Sequence, residues 1–242
     1  MSRRRSISRL LDFVISRFTR SSITRFLALY TLVSPTCSTL LLASDLSVSQ
    51  IASGVDRRYN RLNTLKANFE ENYSGAGLTR NESGKLWLQK PGKMRWEYEQ
   101  PAPKLFIVDG KNAFFYVPAE RQVRRMPAKK LDDFRSPIRY LLGHTKLEKE
   151  FSKLVLSSDR PDDPSDVVLE GIPNGMEDRV QRVLQEITPA NQICRIRVEE
   201  LDGSTTEFLF RDLEENVAVQ PNLFRFNPPA GVEIVSGQDL EP

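Results

Sequence analysis

A chain of 242 residues with 39% hydrophobic and 28% charged side chains has the apolar material for a real core, which excludes a disordered or fibrous protein. Its formal charge of +3 hides a division: residues 1–44 hold seven arginines against one acid, Asp12, whereas the remainder carries 28 basic and 31 acidic residues. The basic excess belongs to the N-terminus, and the acidic balance of the rest argues against a nucleic-acid surface.

In chain order, the arginine-rich "MSRRRSISRLLDFVISRFTRSSITR" precedes an apolar run, "FLALYTLVSPTCSTLLLA" (26–43), and then polar "SDLSVSQ". This is the order of an export signal, expected over residues 1–44, with a single domain over 45–242. The alternative is a transmembrane anchor, against which Pro35 and Thr36 inside the run count. Cleavage would leave Cys194 as the one thiol, so no intramolecular disulfide is expected; Cys37 is the residue a lipid anchor would use.

"SVSQIASGVDRRYNRL" puts Val48, Ile51, Ala52, Val55, Tyr59 and Leu62 on one helical face, and Ser47 with Gln50 fits a capping box, predicting a helix over 47–62. The period then becomes two. "TLKANFEENY" (64–73) is a strand, "SGAGLTRNESG" is turn-rich, and "KLWLQK" (85–90) is the next strand. In "MRWEYE" (94–99), Met94, Trp96 and Tyr98 share a face opposite Arg95, Glu97 and Glu99. "KLFIV" (104–108) and "NAFFYV" (112–117) flank the turn at Asp109, Gly110 and Lys111, a hairpin signal, and "RQVRRM" (121–126) continues the meander.

"SPIRYLLG" then interrupts with a short helix: Ser136 as cap, Pro137 at the first position, Gly143 at the end, and Ile138, Leu141 and Leu142 as its apolar members. Flanked by polar "AKKLDDFR" and "HTKLEKE", such an element depends on tertiary contacts and suits a mobile lid. Strands resume with "FSKLVLS", an acidic Pro-rich loop (158–166) and "VVLEGIP". "DRVQRVLQEITP" fits a helix through Val180, Val183, Leu184 and Ile187, and a strand through Val183, Gln185 and Ile187. "QICRIRVEE" alternates, with Cys194, Ile196 and Val198 on one face; "STTEFLFRDL" places Thr206, Phe208 and Phe210 on one face; "FRFNPPAGVEIV" closes the chain. Strands in succession with short connections predict a mainly antiparallel β (α+β) protein.

Catalytic constellations are missing. The one histidine, His144, suits a solvated or capping position, the His/Cys clusters of a metal site are lacking, and so are the phosphate and nucleophile motifs. No enzyme, no catalytic residue, no metal and no cofactor are expected. An enzyme built on an unrecognised carboxylate pair is the distant rival. "LFIV" and "AFFYV" are apolar on both faces. Either both are covered by protein, or one side of a curved sheet takes up a lipid.

The run "GKLWLQKPGKMRWEY", then "QPAPKLFIVDGKNAFFYVPAERQV", "SPIRYLLG" and "FRFNPPAGVEIV", resemble in order and spacing the LolA family, periplasmic carriers of outer-membrane lipoproteins. The resemblance runs from about Val48 to Val235. It implies a curved sheet forming an unclosed barrel, with helices covering an apolar concave face. It implies a periplasmic, monomeric carrier that accepts acylated lipoproteins from an ABC-type release complex of the inner membrane, shields their acyl chains and passes them to an outer-membrane receptor lipoprotein. A membrane-tethered acceptor, or a lipoprotein-sensing regulator of the same fold, is the alternative. On this reading Leu86, Leu88, Met94, Trp96 and Tyr98 are candidates for the cavity wall, with plain core packing as the alternative for each. Ile138, Leu141 and Leu142 are candidates for the lid. Lys90 stands where the family usually has arginine, whose fork ties the sheet to the helix side through backbone carbonyls; lysine keeps the charge and loses the fork, so the latch is Lys90 or another residue such as Arg95. The 158–166 loop is not explained by the resemblance.

Overall fold

Helix α1 (Val48–Arg61) starts with the expected capping box: the Gln50 amide donates to Ser47 Oγ at 3.3 Å and the Ser47 amide to Gln50 Oε1 at 2.9 Å. Its apolar face buries Ile51, Ala52, Val55 and Tyr59, and an extended Leu62 ends it. The structure, a computed structural model, describes residues 47–133 and 146–236. The expected export signal and the segment holding Ile138, Leu141, Leu142 and His144 lie outside the described residues.

Among the described residues twelve strands follow, beginning with β1 (Thr64–Gly75), β2 (Leu78–Gln89), β3 (Lys93–Gln100), β4 (Lys104–Asp109), β5 (Asn112–Val117) and β6 (Gln122–Pro127). After the short helices α2 (Lys129–Asp133) and α3 (Leu147–Glu150) come β7 (Phe151–Leu156), β8 (Val167–Pro173), β9 (Val180–Ile187), β10 (Ile193–Glu200), β11 (Thr205–Glu215) and β12 (Glu233–Ser236). They form one sheet in the order β12-β6-β5-β4-β3-β2-β1-β11-β10-β9-β8-β7. All neighbours are antiparallel except β12 beside β6. The end strands β7 and β12 do not pair, so the fold is an unclosed barrel of mainly antiparallel strands with few helices.

Two glycines are required by geometry. A Cβ on Gly84 would sit 1.9 Å from the Glu97 carbonyl oxygen, so only glycine lets β2 approach β3 there. Gly110 has φ +95° in the β4–β5 turn, where Asp109 Oδ1 accepts from the Lys111 and Asn112 amides, each at 2.7 Å.

Two expectations are corrected, one open reading is resolved and one segment gains its elements. The turn-rich 74–84 segment is strand for most of its length, because β1 and β2 extend as a hairpin whose turn is only Ala76 and Gly77. Its outer residues Leu78 to Asn81 are exposed, so no apolar alternation marks them. The ambiguous 180–187 segment is β9, buried on both faces at Val183, Leu184, Gln185, Glu186 and Ile187. Cys194 does not share a face with Ile196 and Val198: a bulge between Ile193 and Arg195 turns Ile193 inward in its place. The polar flanks of the interrupting segment include the short helices α2 and α3.

The outer face of the sheet carries two separate covers. Over β3 to β6, Arg95 Nη1 donates to the Leu223 carbonyl at 3.2 Å, Phe224 is buried, and Phe226 stacks on Phe114 at 5.3 Å. This C-terminal segment ends as β12 and lies on the same side as the fully buried Ile107 and Val123. The outer apolar residues of "LFIV" and "AFFYV" are therefore covered by this segment, while on the inner face Phe106 and Val117 stay half-buried. Over β8 to β10 the cover is the 158–166 loop. Arg182 pairs with Asp159 at 3.1 Å, Arg195 with Asp162 at 3.4 Å, and Glu186 Oε1 accepts from the Asp162 amide at 2.9 Å. The acidity of this loop matches the arginines beneath it.

Candidate functional site

The candidate site is the inner face, where the alternation of β3 brings Met94, Trp96 and Tyr98 together. Leu86 and Leu88 pair with Trp96 and Met94 across β2. Trp96 meets Phe69 edge-on at 4.7 Å, and Phe208 at 5.7 Å, while Phe69 also meets Tyr98 at 5.0 Å. These residues join Ile51, Ala52, Val55 and Tyr59 of α1 in one cluster, which runs on through Phe151, Leu169, Val183, Ile187, Ile193 and Ile196. Leu86, Leu88, Trp96 and Tyr98 are 0–5% exposed, whereas Met94 is half-buried. A second, smaller cluster holds Val108, Ala113, Phe115 and Met126, flanked by half-buried Phe106, Val117 and Leu131. Met94 packs against both clusters.

Several polar contacts bind α1 to the sheet, among them Arg58 Nη1 donating to the Ala190 carbonyl at 2.7 Å and Arg58 pairing with Glu215 at 2.5 Å. Tyr59 Oη, buried, accepts from the Ile193 amide at 3.0 Å, and burial pushes its phenol above the usual range. Lys90 Nζ donates to the Tyr59 carbonyl at 2.6 Å. That carbonyl belongs to the last turn of α1, where it also accepts from the Leu62 amide at 3.3 Å and where a cation suits the dipole. Partial burial lowers the Lys90 ammonium below the usual lysine value. Arg95 points to the opposite face, with Nε on Glu97 at 3.2 Å and Nη1 on Leu223. Of the two latch candidates, Lys90 is the one that reaches the helix.

At the far end of the inner face lies a charged group that sequence reading missed. Glu71 and Glu82 are register partners on β1 and β2, both buried. Tyr98 Oη donates to Glu71 Oε2 at 2.8 Å, and Lys104 Nζ pairs with Glu82 at 2.5 Å. Arg80 lies 3.1 Å from Glu82 and 3.7 Å from Glu71. Burial raises the Glu71 carboxyl above its usual range, against the Tyr98 hydrogen bond, and pushes the Tyr98 phenol well up. The available signal was parity, since Glu71 alternates with Phe69 and Tyr73. This is the facing carboxylate pair an enzyme would need, yet both members are already engaged, Glu71 by Tyr98 and Glu82 by Lys104 and Arg80. On the outer face, Asp166, Glu186 and Cys194 have ligand atoms within 4.8 Å of one another. Burial, then Glu186 and Asp166, push the thiol up to about 12, and Cys194 donates to Asp166 while Glu186 pairs with Arg195. The Cys194–Asp166 contact ties the end of the 158–166 loop to β10.

The chain belongs to the LolA family: the family model described as outer membrane lipoprotein carrier protein LolA matches residues 60–227. A protein of Nitrosospira multiformis named outer-membrane lipoprotein carrier protein is 29% identical over 177 residues, spanning 72% of this chain and 82% of its own. One of the same name from Nitrosomonas europaea is 26% identical over 180 residues, spanning 73% and 84%. Among solved structures, an uncharacterised conserved protein of Thermus thermophilus shares the fold, with TM-score 0.51 and 13% identity over 78% of this chain and 98% of that one.

Proposed function

We propose that the chain is a lipoprotein carrier, not an enzyme, which holds acyl chains between α1 and the inner face of the sheet. The observation that carries this reading is the inner face itself, a continuous apolar surface in an unclosed sheet, in a member of the carrier family. The acyl chains lie against Met94, where the two clusters meet, with Leu86, Leu88, Trp96 and Tyr98 as the wall behind it. Lys90 is the latch that holds α1 down, and Ile138, Leu141 and Leu142 are the lid. Each buried CH₂ contributes about 0.8 kcal/mol, so exposed acyl chains need shielding in water. Release requires a cover whose open and closed states differ by a few kcal/mol at most.

The route is part of the proposal: residues 1–44 direct export, the carrier works in the periplasm, an inner-membrane ABC-type complex loads it, and an outer-membrane receptor lipoprotein unloads it. Among the described residues no helix is long and apolar enough to cross a membrane. Protein expressed without residues 1–44 and added to spheroplasts with their release machinery is expected to recover a lipoprotein in the soluble fraction. An empty soluble fraction would overturn the carrier reading.

A further inference from the structure

One inner-face residue does not fit its surroundings. Gln185 of β9 is 1% exposed, and neither its Nε2 nor its Oε1 has a hydrogen-bond partner. Register places it opposite Ile196 of β10 and Leu169 of β8, and its same-face neighbours along β9 are Val183 and Ile187. All four are buried members of the cluster beneath α1. The next residue shows the contrast: outward-facing Glu186 is just as buried, but holds Arg195 and the Asp162 amide. A buried carboxamide left without partners is destabilising, and leucine or methionine would fill the position without that penalty.

We propose that Gln185 recognises the polar root of the cargo's acyl chains, with its Nε2–H donating to an ester carbonyl of the diacylglyceryl group. This rests on the carrier reading. A hydrocarbon tail needs no polar partner, but a glycerol ester carbonyl taken out of water does, and this amide is a donor held in a buried apolar wall. In the closed protein the donor is idle. A loaded acyl chain completes it when α1 yields, so part of what the empty protein lacks is recovered on binding.

The test uses the chain from residue 45 onward and two synthetic peptides with an N-terminal S-glyceryl cysteine, one carrying two ester-linked palmitoyl chains, the other the same chains linked as ethers. The protein is expected to bind the ester peptide about threefold to tenfold more tightly, the worth of one neutral hydrogen bond. Gln185→Met is expected to abolish that preference, retain ether binding and raise the melting temperature. Equal affinity for both peptides overturns the inference and leaves the carrier reading intact, as does a preference that survives in Gln185→Met. Failure to bind either peptide overturns both. The comparison of peptides on the unsubstituted protein needs no variant and stands if Gln185→Met does not fold.

Discussion

The two halves of the inner face are built from the same residue types and packed differently. Under α1, the cluster from β3 through β11 to β7 holds Phe69, Leu86, Trp96, Leu169, Ile187 and Ile196 at 0–2% exposure. Across β4 to β6 the buried set shrinks to Val108, Ala113, Phe115 and Met126, and the surrounding Phe106, Val117 and Leu131 stay half-buried. The difference is the cover: α1 seals the first half, tied down at Tyr59 by Lys90 and Ile193. Apolar composition therefore does not locate a binding surface. What matters is how firmly the covering element is held.

The largest expected effect sets the two halves against each other. Trp96→Ala, in the sealed half, should cost about 3–5 kcal/mol of unfolding free energy, and Phe106→Ala, half-exposed, about 1–2 kcal/mol. Equal losses in urea denaturation would break the distinction. A smaller effect tests the tie. Lys90→Ala removes the donor to Tyr59, partly solvent-screened, and should cost about 1 kcal/mol while speeding amide exchange in the last turn of α1. Unchanged exchange there would show that the helix is held without it.

The smallest effect concerns Glu71. Its carboxyl is raised in the fold by burial, so folding favours its protonated form. The resulting stability is fully present below the ordinary glutamate value and is lost as pH rises from there through the raised native value. Glu71→Gln should lack that portion of the pH dependence, so its advantage over the natural protein should grow across that window. Parallel pH profiles would place the dependence elsewhere.

Much of the fold was legible because one-sided burial writes a period of two. The alternation of Met94, Trp96 and Tyr98, the capping box at Ser47 and the turn at Gly110 each stand where local chemistry requires. Legibility failed where both sides of a strand share one environment. Leu78 to Asn81 are wet on both faces and read as a turn. Val183 to Ile187 are dry on both faces, because the 158–166 loop covers the outer one, and read equally as helix. The bulge at Cys194 shifted a face by one residue, which alternation alone does not reveal. At the site, the motif pointed to Lys90, but not that it would reach Tyr59. The Glu71 and Glu82 pair depends on β1–β2 register, which no single strand encodes.

A sheet that stays open has two borders to protect, and this one treats them differently. One border is β12, which lies parallel along β6 and is only four residues long, too short to template much strand addition. The other is β7, six residues long, with Lys153 at φ +53° and a register break between Ser152 and Val155. A short, kinked border is a poor template for strand addition, even with Val155 and Leu156 exposed on it. The sheet can thus stay open without offering either rim for polymerisation.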